Sequence, residues 1–375
     1  MAEKIILGKN GQWGVKENGL LAYNDEDNIF KAIEMNHSRS STATRVNSSG
    51  TIAESGIGVP RIDFSDSSDG ALLLEPQSTN LFTYSEDLSS YSTIRGTLTL
   101  DSSEVAPDGS LGVYYLTATS ADGLLLDAQS TAGDSTFSVY VKRKTGTGVV
   151  ELSVDGAVTK TPISVTSEWQ RFSLSTASGL GQIVVNCETS GDEVYVWGLQ
   201  AEELSYPTSY IPTSGTTATR ITETCSKSGL DNYINSSEGV LYFEGRAIAD
   251  DLTVRRLSLS DSSWSNSITI YFDSVSNQIT ALIRDGGSGV GICSTTSYTT
   301  TENLKIAYKY KSGDIALWIN GVEADTSTDT ISLPLITDLR FDRGDGSAPF
   351  YGKVKDLRVY SEALTDSELQ TLTSL

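Results

Sequence analysis

The chain of 375 residues contains one histidine, three cysteines and two methionines. It also lacks any stretch approaching the ~18 consecutive apolar residues of a membrane-spanning helix. Each shortage excludes a class of function. His37, lying ahead of the strand-rich region, leaves no obvious partner for a Ser-His-Asp or Cys-His arrangement and reads as a structural or surface histidine. Cys187, Cys225 and Cys293 are odd in number, widely spaced and free of any Cys-X-X-Cys pair. They therefore encode neither a disulfide framework nor a zinc site, and buried thiols are expected. The opening MAEKIILGKNGQW holds an apolar run of only Ile5, Ile6 and Leu7, far short of a signal-peptide core. The expectation is a protein made and folded in a cytoplasm, without membrane insertion.

Positive charge is also scarce: 27 Lys and Arg stand against 48 Asp and Glu, for a net charge of -21. Such a surface repels phosphate backbones and anionic membranes, which argues against nucleic acid and lipid as partners. No Gly-rich phosphate loop follows a strand and opens a helix; Gly286-Gly287-Ser288-Gly289 reads as a hairpin loop. Retaining glycosidases need two carboxyl groups about 5 Å apart, a spacing that alternate positions of one strand can supply. The one Glu-X-Asp here, Glu323-Ala324-Asp325, has no second Glu after it. No catalytic residue is identified, and a polysaccharide depolymerase is the weakest reading.

What the chain does have is period-2 alternation. An apolar content of 38 % suits thin sandwiches whose strands bury every second residue. In Phe137-Ser138-Val139-Tyr140-Val141-Lys142, Phe and Val share one face and Ser, Tyr and Lys the other. ELSV ahead of Asp155-Gly156 forms a hairpin, and WQRFSL, GQIVVNC and DEVYVWGL follow as further strands. The pattern restarts after residue 220. The fold class is all-β, two tandem antiparallel β-sandwiches. NIFKAIEMN is a candidate short helix, and Thr365 with Glu368 three residues on predicts a capped closing helix over 366–373. Thr42-Ala43-Thr44-Arg45 recurs as Thr217-Ala218-Thr219-Arg220. The copies are expected as extended arms along one module, each Arg near carboxylates.

Two resemblances sharpen this. Val59-Pro60-Arg61-Ile62-Asp63-Phe64, Asn80-Leu81 with Tyr84-Ser85-Glu86-Asp87, Trp197-Gly198-Leu199-Gln200-Ala201-Glu202, and Tyr206 to Thr213 (YPTSYIPT) resemble a module of bacteriophage virion proteins. That module resembles carbohydrate-binding jelly rolls and recurs in tail-fibre, receptor-binding and head-decoration proteins. DIALWINGVEA, followed by FYGKVKDLRVYSEALTDSELQTL, resembles a concanavalin A-like, laminin G-type sandwich. The resemblances imply a virion-attachment or oligomerisation segment over 1–40, a jelly roll with extended arms over 41–220, and a laminin G-like sandwich over 221–375. They further imply a non-enzymatic virion surface protein, a homotrimer, that binds host-surface glycans and contacts other virion proteins through its N-terminal segment. The alternative is a structural decoration protein whose sandwiches clamp neighbouring subunits. No cofactor is required, but a structural calcium is implied, with Glu75, Asn80 and Asp192 as candidate ligands.

Sugar binding needs aromatic faces for the C–H side of a pyranose and polar groups for its hydroxyls. Alternation nominates Tyr140 and Lys142 on one strand and Tyr195 and Trp197 on the last strand of the module, with Trp197 and Trp169 also readable as core. In the C-terminal sandwich, Trp264 sits in the polar loop DSSWSNS, with Tyr271, Arg284, Asp285 and Tyr298 as candidate neighbours.

Overall fold

The structure is a computed structural model that describes residues 3–16, 19–24 and 31–375. It divides into two compact units, one built from residues up to Ser40, Ser55–Pro76 and Thr222–Leu375, the other from Ser41–Glu54 and Gln77–Ile221. Among the described residues, no helix is long and apolar enough to cross a membrane.

The unit around Gln77–Ile221 is a sandwich of two five-stranded sheets. One sheet runs Gly96–Val105, Leu111–Ala118, Glu193–Glu202, Ser135–Thr145 and Gln170–Thr176. The facing sheet runs Ser92–Ile94, Gly123–Ala128, Gln182–Cys187, Val150–Ser153 and Thr161–Ile163. Phe137, Val139 and Val141 point into the core with Leu116, Val185 and Val196, as the alternation requires. Both Thr-Ala-Thr-Arg copies are short strands. Ala43–Val46 pairs with Ile52–Ser55, and Ala218–Arg220 pairs with Ser78–Asn80. Buried Arg220 donates to the hydroxyls of Thr208 and Ser209, and Thr208 is itself tied to the Glu202 carboxylate.

The other unit is also a sandwich, but its two layers form one continuous ladder. Strands Val322–Ser327, Ile315–Ile319, Leu304–Lys311, Glu238–Ala247 and Gly352–Tyr360 pair in that order. The far edge of Gly352–Tyr360 is taken by Ala71–Leu74 and by Glu3–Leu7. From Glu3–Leu7 the ladder passes through Gly19–Asn24 and Lys31–Ser38 to Thr224–Lys227. It then continues through Asp338–Arg340, Arg255–Ser260, Ser267–Phe272, Ile279–Asp285 and Ser288–Thr295. Ile5, Leu20, Met35, Leu72 and Leu74 share one core with Leu241, Leu257 and Val354.

Three expectations change here. The segment NIFKAIEMN is not a helix: Lys31–Ser38 is a strand, and residues 28–30 lie outside the described residues. Ile33 and Met35 are buried at spacing two while Glu34 and Asn36 are exposed, so the strand period won over a helical one. Residues 3–40 are not a separate segment, because their strands supply hydrogen bonds and apolar side chains to the C-terminal sandwich. Likewise Ile62–Asp63 and Ala71–Leu74, read as part of the jelly roll, belong to this unit. The Gly286-Gly287 hairpin forms as read, and so does the closing helix Asp366–Thr373, whose Thr365–Glu368 capping box is present.

Candidate functional site

The jelly-roll sheet containing Ser135–Thr145 and Glu193–Glu202 has an apolar inner face and an aromatic outer face. Register places Tyr140 opposite Trp197 and Lys142 opposite Tyr195, so the four nominated residues share the outer face. A bulge sets this arrangement: Ser138 faces Gln200 whereas Tyr140 faces Trp197, leaving one extra residue on the Glu193–Glu202 strand. Gly198 absorbs it with φ of 68°, a left-handed conformation that disfavours other residues. Trp197 can therefore point outward while both Val196 and Leu199 reach the inner core.

The motif residues around the bulge hold the exit segment in place. The Gln200 side chain accepts from the Ile211 backbone N–H at 2.6 Å, and Glu202 accepts from that of Thr208 at 2.9 Å. Asn80 donates to the carbonyls of Leu199 and Ile211. Pinned in this way, the Tyr210 ring lies 4.6 Å from the Trp197 ring and buries it to 1 % exposure. Trp197 is thus on the outer face but beneath its surface, supporting Tyr140 through an edge contact at 5.5 Å.

Beside this support lies a cleft of about 530 Å³, lined among others by Ile52, Glu104, Val105, Tyr140, Lys142 and Trp169. Trp169, whose pattern also suited a core, instead packs half-buried on the outer face, its indole N–H donating to the Val105 carbonyl at 2.9 Å. Lys142 pairs with Glu104 at 2.7 Å, its ammonium 6.0 Å from the Trp169 ring and 5.8 Å from Tyr195. Tyr195 itself is buried and donates to Asp101, and the Ser103 hydroxyl and this phenol pull the Asp101 carboxyl down to about 2. Two aromatic walls with a cation and a carboxylate between them can stack on a pyranose and bond its hydroxyls.

The proposed calcium ligands are not brought together. Glu75 belongs to the other unit and is ion-paired with Arg61 at 2.8 Å. Asn80 turns its amide oxygen to the backbone N–H groups of Phe82 and Ala201, and Asp192 accepts from Gly148 N–H and Arg143. Among the described residues, no group of three His, Cys, Asp or Glu side chains is arranged to hold a metal.

In the C-terminal unit, Trp264 does meet Arg284, whose guanidinium lies 4.9 Å from the indole centre. Two residues not nominated from the sequence join it: Arg256 at 4.7 Å and Arg343 at 5.2 Å. Tyr271 is reached through Arg256, which stacks 3.8 Å over its ring. Guanidinium groups occupy the positions over the indole that a sugar face would use. Asp285 accepts from the Ser332 backbone N–H, while Tyr298 packs on the core and donates to the Ile319 carbonyl, so neither is part of this cluster by its contacts. Alternation could have found Arg256, two positions from buried Ser258 on the outer face; Arg343 comes from a distant loop and carries no local signal. A second cleft of about 500 Å³ is lined by Asp63, Asp66, Arg246, Lys353 and neighbours, but its charges pair with one another.

Residues 246–370 match the family model of the concanavalin A-like lectin/glucanases superfamily. Nothing among curated proteins matches the chain. Similar solved structures include the CBM40 of the Ruminococcus gnavus IT-sialidase bound to α2,3-sialyllactose, at 15 % identity and TM-score 0.32, covering 37 % of this chain and 83 % of that one. Domain 4 of an extracellular arabinanase from Geobacillus stearothermophilus, in complex with arabinotriose, is similar at 15 % identity and TM-score 0.34, over 46 % of this chain and 84 % of that one. Domains LG4-5 of the mouse laminin α1 chain are similar at 10 % identity and TM-score 0.26, over 67 % of this chain and 93 % of theirs. The chain is an all-β protein of sandwich type, and its C-terminal part is concanavalin A-like.

Proposed function

We propose that this protein binds glycans without cleaving them, and that the cleft walled by Tyr140 and Trp169 is its saccharide site. The observation that carries this reading is the joint placement of two accessible aromatic walls and the Lys142–Glu104 pair in one cleft. The match of residues 246–370 to the concanavalin A-like lectin/glucanases superfamily is in keeping with the glycan part of this reading. From the motifs shared with virion modules, we further propose a homotrimeric bacteriophage surface protein, on a tail fibre or capsid, that adsorbs to host-envelope glycans and is made in the host cytoplasm. Weak single sites then gain avidity from multivalent display. Contacts with other virion proteins through the N-terminal strands would use the residues these leave exposed, such as Lys31, Glu34 and Asn36.

The test is a glycan array and affinity electrophoresis with the wild-type chain and a Tyr140→Ala/Trp169→Ala variant, with reducing-sugar release measured alongside. Loss of each stacking wall is expected to raise Kd about tenfold or more, since an aromatic contact of this kind is worth ~1 kcal/mol beyond its buried area. No sugar should be released. Binding to no glycan would favour the structural decoration role, and release of sugar would overturn the non-enzymatic reading.

A further inference from the structure

The cluster around Trp264 differs in kind from the cleft. Three guanidinium groups lie within about 5 Å of one ring, each a delocalised cation over an aromatic face, in a chain with a net charge of -21. Local carboxylates among the described residues pair with only one of the three. Asp345 pairs with Arg343 at 2.6 Å, and Asp273 is engaged by the Ser274 N–H and the Thr280 hydroxyl. Among the described residues, neither Arg256 nor Arg284 has a carboxylate within ion-pair distance, and buried nitrogens of both (Nε and Nη1 of Arg256, Nε of Arg284) have no hydrogen-bond partner. Burial depresses the Arg256 guanidinium below its ordinary value, against the opposing pull of Tyr271 and Asp273.

The cluster is also held in place. Asp261 accepts from Ser263 and Asn266 to fix the turn carrying Trp264. Asp342 accepts from the backbone N–H groups of Gly344 and Gly346 to fix the loop carrying Arg343. Cations crowded on a fixed aromatic base, two of them without a paired carboxylate, are arranged for a ligand that brings acceptor oxygens and negative charge.

We infer that Arg256, Arg284 and Arg343, gathered on Trp264, bind the oxyanion of an acidic saccharide, a carboxylate or a sulfate ester. The inference rests on the glycan reading only for the saccharide carrier; the site and its residues are separate from the Tyr140 cleft. The negative surface elsewhere repels polyanions, so retention on one must come from a local basic site.

The experiment is affinity electrophoresis of the full chain through polygalacturonate, dextran sulfate and neutral dextran, with wild type, Arg256→Gln/Arg284→Gln, Arg343→Gln and Tyr140→Ala/Trp169→Ala. Wild type is expected to be retarded by at least one polyanion, and which one separates carboxylate from sulfate. The Arg256→Gln/Arg284→Gln pair should weaken this about tenfold or more. Retardation should weaken as salt rises. If the double substitution unfolds the protein, Arg343→Gln, on its exposed loop, should still weaken retardation several-fold. No retardation of folded wild type by either polyanion overturns the inference, as does retardation that the arginine substitutions leave intact. Loss confined to the Tyr140 variant would instead move polyanion binding to the cleft, keeping the glycan reading while removing this site.

Discussion

Glu223 shows what a single position can hold together. Its buried carboxylate accepts from Arg39 at 2.7 Å and from Arg61, while Arg61 also pairs with Glu75 at 2.8 Å. Burial alone would raise the Glu223 carboxyl; Arg61 and Arg39 hold it below its ordinary value instead. Removing one partner from such a set strands a buried charge, so Arg61→Ala should cost ~3–5 kcal/mol in chemical denaturation. Of the two readings of His37, structural or surface, the structure supports the structural one. Its side chain is shielded, with Nδ1 3.0 Å from the Gly58 carbonyl and Nε2 3.9 Å from Glu223, and burial lowers its pKa despite that carboxylate. A histidine less basic when folded binds fewer protons than in the unfolded chain, so stability falls as pH drops through its unfolded value of about 6.5. The melting temperature of wild type should decline from pH 7 to pH 5 more steeply than that of His37→Gln; equal slopes would remove His37 from the account. Local sequence carried none of this, because Arg39, Arg61, Glu75 and Glu223 become neighbours only through strand pairing.

At the level of elements, the strand Glu193–Glu202 carries the clearest sequence-to-site logic. Alternation put Tyr195 and Trp197 on one face and Tyr140 and Lys142 on one face, and pairing made these the same face. It did not reveal that Trp197 would be roofed by Tyr210, nor that Trp169 would stand in the cleft wall, since both depend on segments that return from elsewhere. The Trp-Gly pair is legible in retrospect as a bulge. A Cβ at Gly198 would sit 3.1 Å from the Tyr140 ring and 3.3 Å from the Tyr210 ring, on a backbone with φ of 68°. Gly198→Ala should therefore destabilise by ~1–3 kcal/mol and weaken glycan retention by displacing Tyr140. Full glycan affinity in a destabilised Gly198→Ala protein would show that the bulge supports the fold but not the site.

For the whole molecule, the consequence lies in where the C-terminal sandwich begins. Residues 221–375 by themselves would lack Glu3–Leu7 on the edge of Gly352–Tyr360 and Lys31–Ser38 on the edge of Thr224–Lys227, exposing Leu241, Leu257 and Val354. Such a fragment is expected to bind hydrophobic dye and lose near-UV dichroism, whereas residues 41–221, which hold both sheets of the jelly roll, should melt cooperatively. Cooperative melting of 221–375 would mean the early strands are dispensable.

The sequence by itself determined the all-β class, the faces that strands bury, the capped closing helix, and the aromatic residues from which the proposed saccharide site is drawn. These follow from local periodicity, because a side chain's direction on a strand is set by its immediate neighbours. Tertiary structure alone decided which sheet the early strands join, which tryptophan is covered and which stands in the cleft, and that Arg256 and Arg343 meet Arg284 on Trp264. Hydrogen-bonding edges are nearly alike on every strand, so the choice among them depends on side-chain packing between segments far apart in the chain.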